Sequence, residues 1–204
     1  NMALSKIDVA NMVTGATPVA NGGTGLTSGT TNQFLKFTGS TTLASAADNQ
    51  GVAMANAWRL SSALAGAADP ITSNWEEIDT DGYGDIGTAM SNSSGVFTFP
   101  ATGIYLIHIF CNVGKDAEST YNIFTLETTV NNSDFGGAAQ ARVYISGGDG
   151  DETQSGYSNF IFDVTNTSTH KIRFGFSTQN TATLRSDTNQ QIGTGFTIIK
   201  LGDT

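Results

Sequence analysis

Two histidines, one cysteine, an adjacent glutamate pair and two acidic turns are the residues with which this chain could do chemistry. Glu76 and Glu77 resemble an acid–base pair in type. Neighbours in an extended strand project to opposite faces, however, so one bond cannot lie between them. His108 falls inside an apolar run and reads as an interface histidine, while His170 lies in a Thr-Asn-Thr-Ser-Thr turn and reads as solvent-exposed. Cys111 sits among apolar residues, as a small buried hydrophobe does, and a single cysteine allows no internal disulfide. There is no Gly-x-Ser-x-Gly elbow, no His-Glu-x-x-His and no Walker-type loop. The expectation is a protein that is not an enzyme, with no catalytic residues. Hard oxygen ligands of the kind calcium takes gather at Asp79, Asp81 and Asp85, and again at Asp149, Asp151 and Glu152. The first set departs from an EF-hand loop, with glycine at its fourth position and no closing glutamate. Solvated acidic turns are the plainer reading, and calcium is the one cofactor these residues admit.

The element on which these residues hang is the stretch 95–113, GVFTFPATGIYLIHIFCNV. Two extended runs meet at Pro100-Ala101-Thr102-Gly103, where proline pre-sets φ for a turn and glycine supplies the permissive corner. The second run, 104–113, is β-branched and aromatic, which predicts a strand. Tyr105, Ile107, Ile109, Cys111 and Val113 form a wholly apolar face. Ile104, Leu106, His108, Phe110 and Asn112 form the other, which is still mostly apolar. An antiparallel strand with one wet face should alternate apolar with polar. This pattern predicts cover on both sides, by the strand's own sandwich and by a second subunit across Ile104, Leu106, His108 and Phe110.

At 204 residues the chain can bury one good core with length to spare. Only 13% of its residues are charged, and they sum to −9, a balance that a nucleic-acid backbone repels. A cationic surface patch or a neutral glycan is compatible with it. The 24 glycines and the scarcity of Lys and Glu leave little for exposed helices and move the expectation to all-β. No apolar run approaches the roughly 20 residues needed to span a bilayer, so membrane insertion is not expected. No signal peptide is visible. The chain opens Asn1-Met2, as a tag remnant or a piece of a longer protein would.

Residues 1–50 differ from the rest. Their Gly/Thr/Asn stretch cannot bury enough surface to fold alone and reads as an extended linker, with a short strand at 33–37 and a second arm at 40–43. Residues 51–204 read as the folded domain. Between 43 and 68 alanine favours helix, whereas Asn49, Gly51, Asn56 and Gly66 interrupt it. A loop followed by a strand at 58–64 is the preferred reading, with another strand at 71–79. Strands follow at 121–130, 141–145, 157–164, 171–177 and 195–201. In the run 171–177, Ile172, Phe174 and Phe176 alternate with Lys171, Arg173 and Ser177, as in a half-buried antiparallel strand. Many short strands without intervening helices predict a sandwich or jelly roll.

Two resemblances sharpen this. PVANGGTGLTS followed by NQFLKFTGSTTLA, over residues 18–44, resembles the connecting motif of bacteriophage tail-fibre and tail-tip proteins, which links shaft to terminal domain in three-fold assemblies. A single copy is present, which implies a shaft lying upstream or on another protein. The spacing of Gly95, Phe97, Pro100, Gly103 and Tyr105, with the closing Gly195-Phe196, resembles the complement C-one-q-like globular head, a relative of tumour necrosis factor. It covers about 58–201 and implies a ten-stranded jelly roll assembled as a homotrimer. The collagen stem usual in secreted animal members is missing, and the fibre-type linker stands in its place. Together the resemblances imply a virion protein, a tail-fibre head working outside the cell.

If successive strands run antiparallel, loops alternate between the ends of the sandwich. The linker end is then the base, and loops 114–120, 146–156 and 178–193 lie at the far end. These hold Lys115, Asp116, Glu118, Asp149, Asp151, Glu152, Asn180, Arg185 and Asp187, the candidate receptor-binding residues. The expected partner is a polysaccharide or outer-membrane protein of a host cell. A structural adaptor within the tail is the alternative, and a carbohydrate-active enzyme the more distant one.

Overall fold

Apolar side chains at every second position, ended by Gly and Asn turns, dictate strands and little else. The computed structural model describes residues 26, 29–31, 33–39, 42–46, 51–115, 118–147, 152–186 and 193–204, and it divides into two units, Asn1–Gly51 and Val52–Thr204.

The described part of the first unit is a hairpin in which β1 (Phe34–Phe37) pairs antiparallel with β2 (Leu43–Ala46). The second arm begins later than the sequence suggests, because the turn runs from Thr38, whose N–H donates to Thr42 O at 2.9 Å. Ser40 and Thr41, expected to open that arm, lie outside the described residues. Phe34, Leu35 and Phe37 are all exposed.

The second unit carries β3 (Ala55–Leu60), β4 (Leu64–Ala65), β5 (Trp75–Glu77), β6 (Ser91–Ser93), β7 (Val96–Thr98), β8 (Gly103–Lys115) and β9 (Ser119–Thr129). There follow β10 (Gly136–Ile145), β11 (Glu152–Val164), β12 (Lys171–Thr178), β13 (Thr183–Leu184) and β14 (Gly195–Gly202). One sheet has the order β10-β9-β12-β7-β6. The other runs β4-β13-β8-β14-β3-β5, with β11 on the free side of β8. Every pairing is antiparallel. Without the two-residue strands β4 and β13, this is a sandwich of two five-stranded layers.

Between the layers lies an aromatic core. Phe97, Phe174 and Phe196 are fully buried, with ring centroids 4.7–5.7 Å apart, and Trp58 and Trp75 close on Phe97 edge-on at 5.2 and 5.3 Å. Burying such side chains is the main term favouring the fold, at roughly 1.5–3 kcal/mol each. Alternation in β12 places Ile172, Phe174 and Phe176 inward as expected, yet Lys171 is also buried. Its Nζ donates to Thr167 O and Thr98 Oγ1, at 2.7 and 3.0 Å, and burial lowers its pKa.

Local chemistry sets the corners. Ser94 and Gly95 both take positive φ, 51° and 80°, in the two-residue turn from β6 to β7. A Cβ on Gly95 would also stand 2.1 Å from Ile71 O. Pro100-Ala101-Thr102 forms the expected hinge, and the buried Tyr105 fastens it by donating its hydroxyl to Ala101 O at 2.8 Å.

Strand expectations are corrected in four places. β10 begins at Gly136 and β11 at Glu152, each five residues before the expected start, so residues 152–156 belong to a strand paired with β8 and not to the expected loop 146–156. Residues 71–79 form a strand only at Trp75–Glu77, because the segment crosses between layers. Ile71 N–H bonds to Phe174 O of β12, whereas Trp75–Glu77 pairs with β3. Residues 58–64 are likewise split. β3 starts at Ala55, where β14 offers a partner, and the chain then turns at Ser61, whose N–H donates to Asn74 O at 2.8 Å.

Candidate functional site

The long strand β8 presents two faces of different character. Tyr105, Ile107, Ile109, Cys111 and Val113 are at most 1% exposed. Ile104, Leu106, His108, Phe110 and Asn112 point the other way and are only half-buried. Register extends this outer face across three strands. Phe110 stands opposite Tyr157, His108 is flanked by Asn159 and Thr197, and Leu106 by Ile161 and Ile199. Tyr157 and Ile161 are 75% and 60% exposed, so the unit shows water an apolar stripe. His108 Nδ1 and Asn159 Oδ1 meet at 2.6 Å, and the imidazole lies 5.9 and 6.1 Å from the rings of the facing pair Phe110 and Tyr157. A hollow of about 430 Å³ opens here beside Phe110, Ser155 and Tyr157. Sequence reasoning reached Ile104, Leu106, His108 and Phe110 but missed Tyr157, Ile161 and Ile199. The alternation Tyr157, Asn159, Ile161, Asp163 was the available signal.

The ends of the unit are distinct. β3 and β14 are antiparallel, so Ala55, near the chain's entry, sits beside Ile199, near its end. The opposite end gathers Lys115 at the close of β8, Glu118 before β9, Glu152 at the start of β11, and Asn180 and Arg185 around β13. Asp116, Asp149, Asp151 and Asp187 lie outside the described residues. Glu152 pairs across strands with Lys115 and accepts from Ser146 Oγ at 3.2 Å. Asn180 Nδ2 donates to Glu118 O at 2.6 Å, tying two of the loops together. Arg185 N–H bonds to Asn112 O at 2.8 Å, and its side chain crosses β8 at Gly114, where a Cβ would stand 2.0 Å from Nε. Beside it opens a polar cleft of about 370 Å³, edged by Lys115, Thr181, Thr183 and Ser186. The three hydroxyl residues were missed, since nothing in their local sequence distinguishes them from other turn residues.

A scan against protein-family profiles finds no match, and neither does a search of curated proteins. Among solved structures, murine APRIL at pH 5.0 aligns over 72% of this chain and 98% of its own, at 14% identity and a TM-score of 0.53. The Eiger TNF of S. frugiperda aligns over 76% and 96%, at 15% identity and a TM-score of 0.53. The fold is a jelly roll of the tumour necrosis factor type. At such identities the likeness carries the fold alone.

Within this jelly roll the other chemically capable residues are given to structure. Asp79 Oδ1 lies 2.9 Å from Arg59 Nη2, which also meets Glu76 Oε2 at 3.0 Å. Asp85 accepts from Asn56 Nδ2 at 2.9 Å and from the Tyr83 hydroxyl. Asp81 is exposed in the turn between them. Among the described residues no three or more His, Cys, Asp and Glu side chains gather as metal ligands would. Glu76 and Glu77 are drawn apart as strand neighbours should be, the one to Arg59 and the other to Asn56. Cys111 is buried, and burial pushes its thiol up to about 11, far from a reactive thiolate. His170 corrects an expectation: it is buried, stacked on Phe162 at 5.7 Å, with its ring nitrogens at Thr165 and Thr169 hydroxyls. The polar turn folds back and gives the ring hydroxyl partners that a linear reading does not foresee.

Proposed function

We propose that three copies of this chain assemble into the head of a bacteriophage tail fibre, whose far end binds a polysaccharide or an outer-membrane protein of the host cell. The carrying observation is the outer face of β11, β8 and β14, where Leu106, Phe110, Tyr157 and Ile161 form a contiguous apolar stripe. Soluble chains rarely leave such a stripe uncovered, and further copies of the same surface are the simplest cover. The far end, with Lys115, Glu118, Glu152, Asn180 and Arg185, stays free when that face is used, and binding there gains avidity from three copies. The resemblance of residues 18–44 to fibre connectors supports placement on a virion, outside the cell, with an upstream shaft as neighbour. The reading assigns binding and no catalysis, and it calls on no cofactor.

Competition tests it. Purified trimer added to host cells should block adsorption of the phage that carries it, and removal of residues 146–151, which join β10 to β11, should abolish the block while leaving β11 and the trimer intact. Binding to virion proteins without binding to cells would replace the receptor role with that of an adaptor. Cleavage of host glycan by the purified protein would replace it with that of an enzyme.

A further inference from the structure

On the outer face of the other sheet, near the far end, two tyrosines on adjacent strands border a groove of about 210 Å³. Tyr121 of β9 is 45% exposed and Tyr144 of β10 is 54% exposed. A β-bulge puts them there. Register passes from Val143↔Asn122 to Ile145↔Ser119, so Tyr144 faces two residues, Thr120 and Tyr121, and both of these turn to solvent. Gln179 pins the bulge. Its Oε1 accepts from Thr120 N–H at 2.9 Å and from the Thr120 hydroxyl, and its N–H donates to Tyr121 O at 3.2 Å. Asn122 behind it is fully buried, with Oδ1 accepting from Ser119 Oγ and Thr178 Oγ1 at 3.0 and 2.8 Å. The groove is therefore held in shape before anything enters it.

Its one charge is Arg142, an exposed side chain in a chain of net charge −9. Gln140 Oε1 accepts from Arg142 Nε at 2.9 Å and also from Nη2, which orients the guanidinium without neutralising it. No described carboxylate pairs with it. Amphipathic rings beside a guanidinium oriented by Gln140 suit a ring-shaped ligand with one apolar face and a carboxylate at its rim. A pyranose ring bearing a carboxylate has that form.

We propose that the groove between Tyr121 and Tyr144 binds an acidic sugar, with the ring against the tyrosines and its carboxylate on Arg142. The inference gives the glycan of the proposed function a chemical class, and rests on that reading only for its biological setting. Its test needs neither phage nor trimer. Saturation-transfer NMR on the full chain, with digalacturonate and uncharged galactobiose as probes, should show binding of the acidic disaccharide and little of the neutral one. Tyr144→Ala should weaken binding about tenfold, as removal of one stacked ring would, while Tyr144→Phe retains it. Arg142→Gln should erase the preference for the acidic sugar. These side chains are exposed, so circular dichroism melts should match the parent within a few degrees. No transfer to digalacturonate in the parent protein overturns the proposal. So does binding that survives both Tyr121→Ala and Tyr144→Ala, or that Tyr144→Phe abolishes as fully as Tyr144→Ala. Failure here leaves the block of phage adsorption by the trimer standing as a separate outcome.

Discussion

The carboxyl groups of Glu77 and Asp85 share one donor, the Asn56 side-chain amide, at 2.5 and 2.9 Å. Asn56 is 1% exposed, and its Oδ1 accepts from Trp58 Nε1 at 2.5 Å, so the amide cannot turn away. Burial, together with the neighbouring Asp85, holds Glu77 above its ordinary 4.5. Burial opposes ionisation of Asp85 as well, but hydrogen bonds from Tyr83, Asn56 and Glu77 outweigh it and keep that carboxyl below its ordinary 3.8. Burial and the adjacent Asp85 push the Tyr83 phenol up to about 12.

The two shifts act on stability in opposite directions. Glu77, raised in the folded state, contributes stability that is complete below its unfolded value and lost as pH climbs through the raised one. Asp85, depressed, contributes stability that is complete above 3.8 and lost as pH falls through the lowered value. Both contributions are whole only between 3.8 and 4.5. Glu77→Gln keeps the neutral form at every pH. The parent's melting temperature should therefore fall relative to Glu77→Gln between pH 4.5 and neutrality. Parallel melting curves for the two proteins over that range would show that Glu77 carries no such contribution.

The Tyr105 hydroxyl is the only polar atom of a side chain otherwise packed on Phe99, at 4.8 Å between ring centroids. Tyr105→Phe keeps that packing and removes the tie to Ala101 O. A hydrogen bond of this kind contributes about 1 kcal/mol, and water reaching the exposed Ala101 recovers part of it. Calorimetry should record a fall in Tm of about 2–4 °C or slightly less. An unchanged or raised Tm would mean that turn chemistry alone holds the hinge.

The jelly roll and the inner face of β8 were legible because period-two alternation is a local signal. Tyr105 to Val113 needed no knowledge of the strand's neighbours. The outer face was legible only in its β8 residues. That Tyr157 and Ile161 extend it follows from β11 lying beside β8, a pairing about 50 residues apart that no local pattern announces. The crossing at Ile71 was hidden for the same reason, since its partner Phe174 lies a hundred residues on. His170 was misread because hydroxyl partners can satisfy a buried ring as well as water does. The bulge at Thr120–Tyr121 left no mark in the sequence at all, as one extra residue in a β-rich run keeps the same composition.

Gly114 and Arg185 should prove coupled. A methyl on Gly114 would come within 2.0 Å of Nε and 2.6 Å of Cζ, so Gly114→Ala must drive the guanidinium off β8. Overpacking of this kind costs about 1–3 kcal/mol. In a double-mutant cycle by urea unfolding, Arg185→Ala should remove most of the penalty of Gly114→Ala, with an interaction energy above about 0.5 kcal/mol. Strict additivity would show that the close approach is relieved at no cost and that Gly114 is not needed for Arg185 to lie there.

The outer face of β8 gives the most decisive outcome. Leu106 and Ile161 are neighbours across the β8–β11 pair, and neither faces the core. A glutamate at either place costs the isolated unit little, because water already reaches it. In a trimer the same substitution buries three carboxylates where apolar contacts were, each such contact having contributed roughly 1.5–3 kcal/mol. Leu106→Glu and Ile161→Glu should therefore convert a trimer at micromolar concentration into single folded chains by light scattering, with the near-ultraviolet dichroism of the aromatic core retained. Ile107→Glu, one residue along and facing inward, should instead abolish that dichroism, since a carboxylate there would enter a fully buried site. If the parent chain scatters as a monomer at that concentration, something other than its own copies covers the Leu106 stripe, and the trimeric head is lost as a reading.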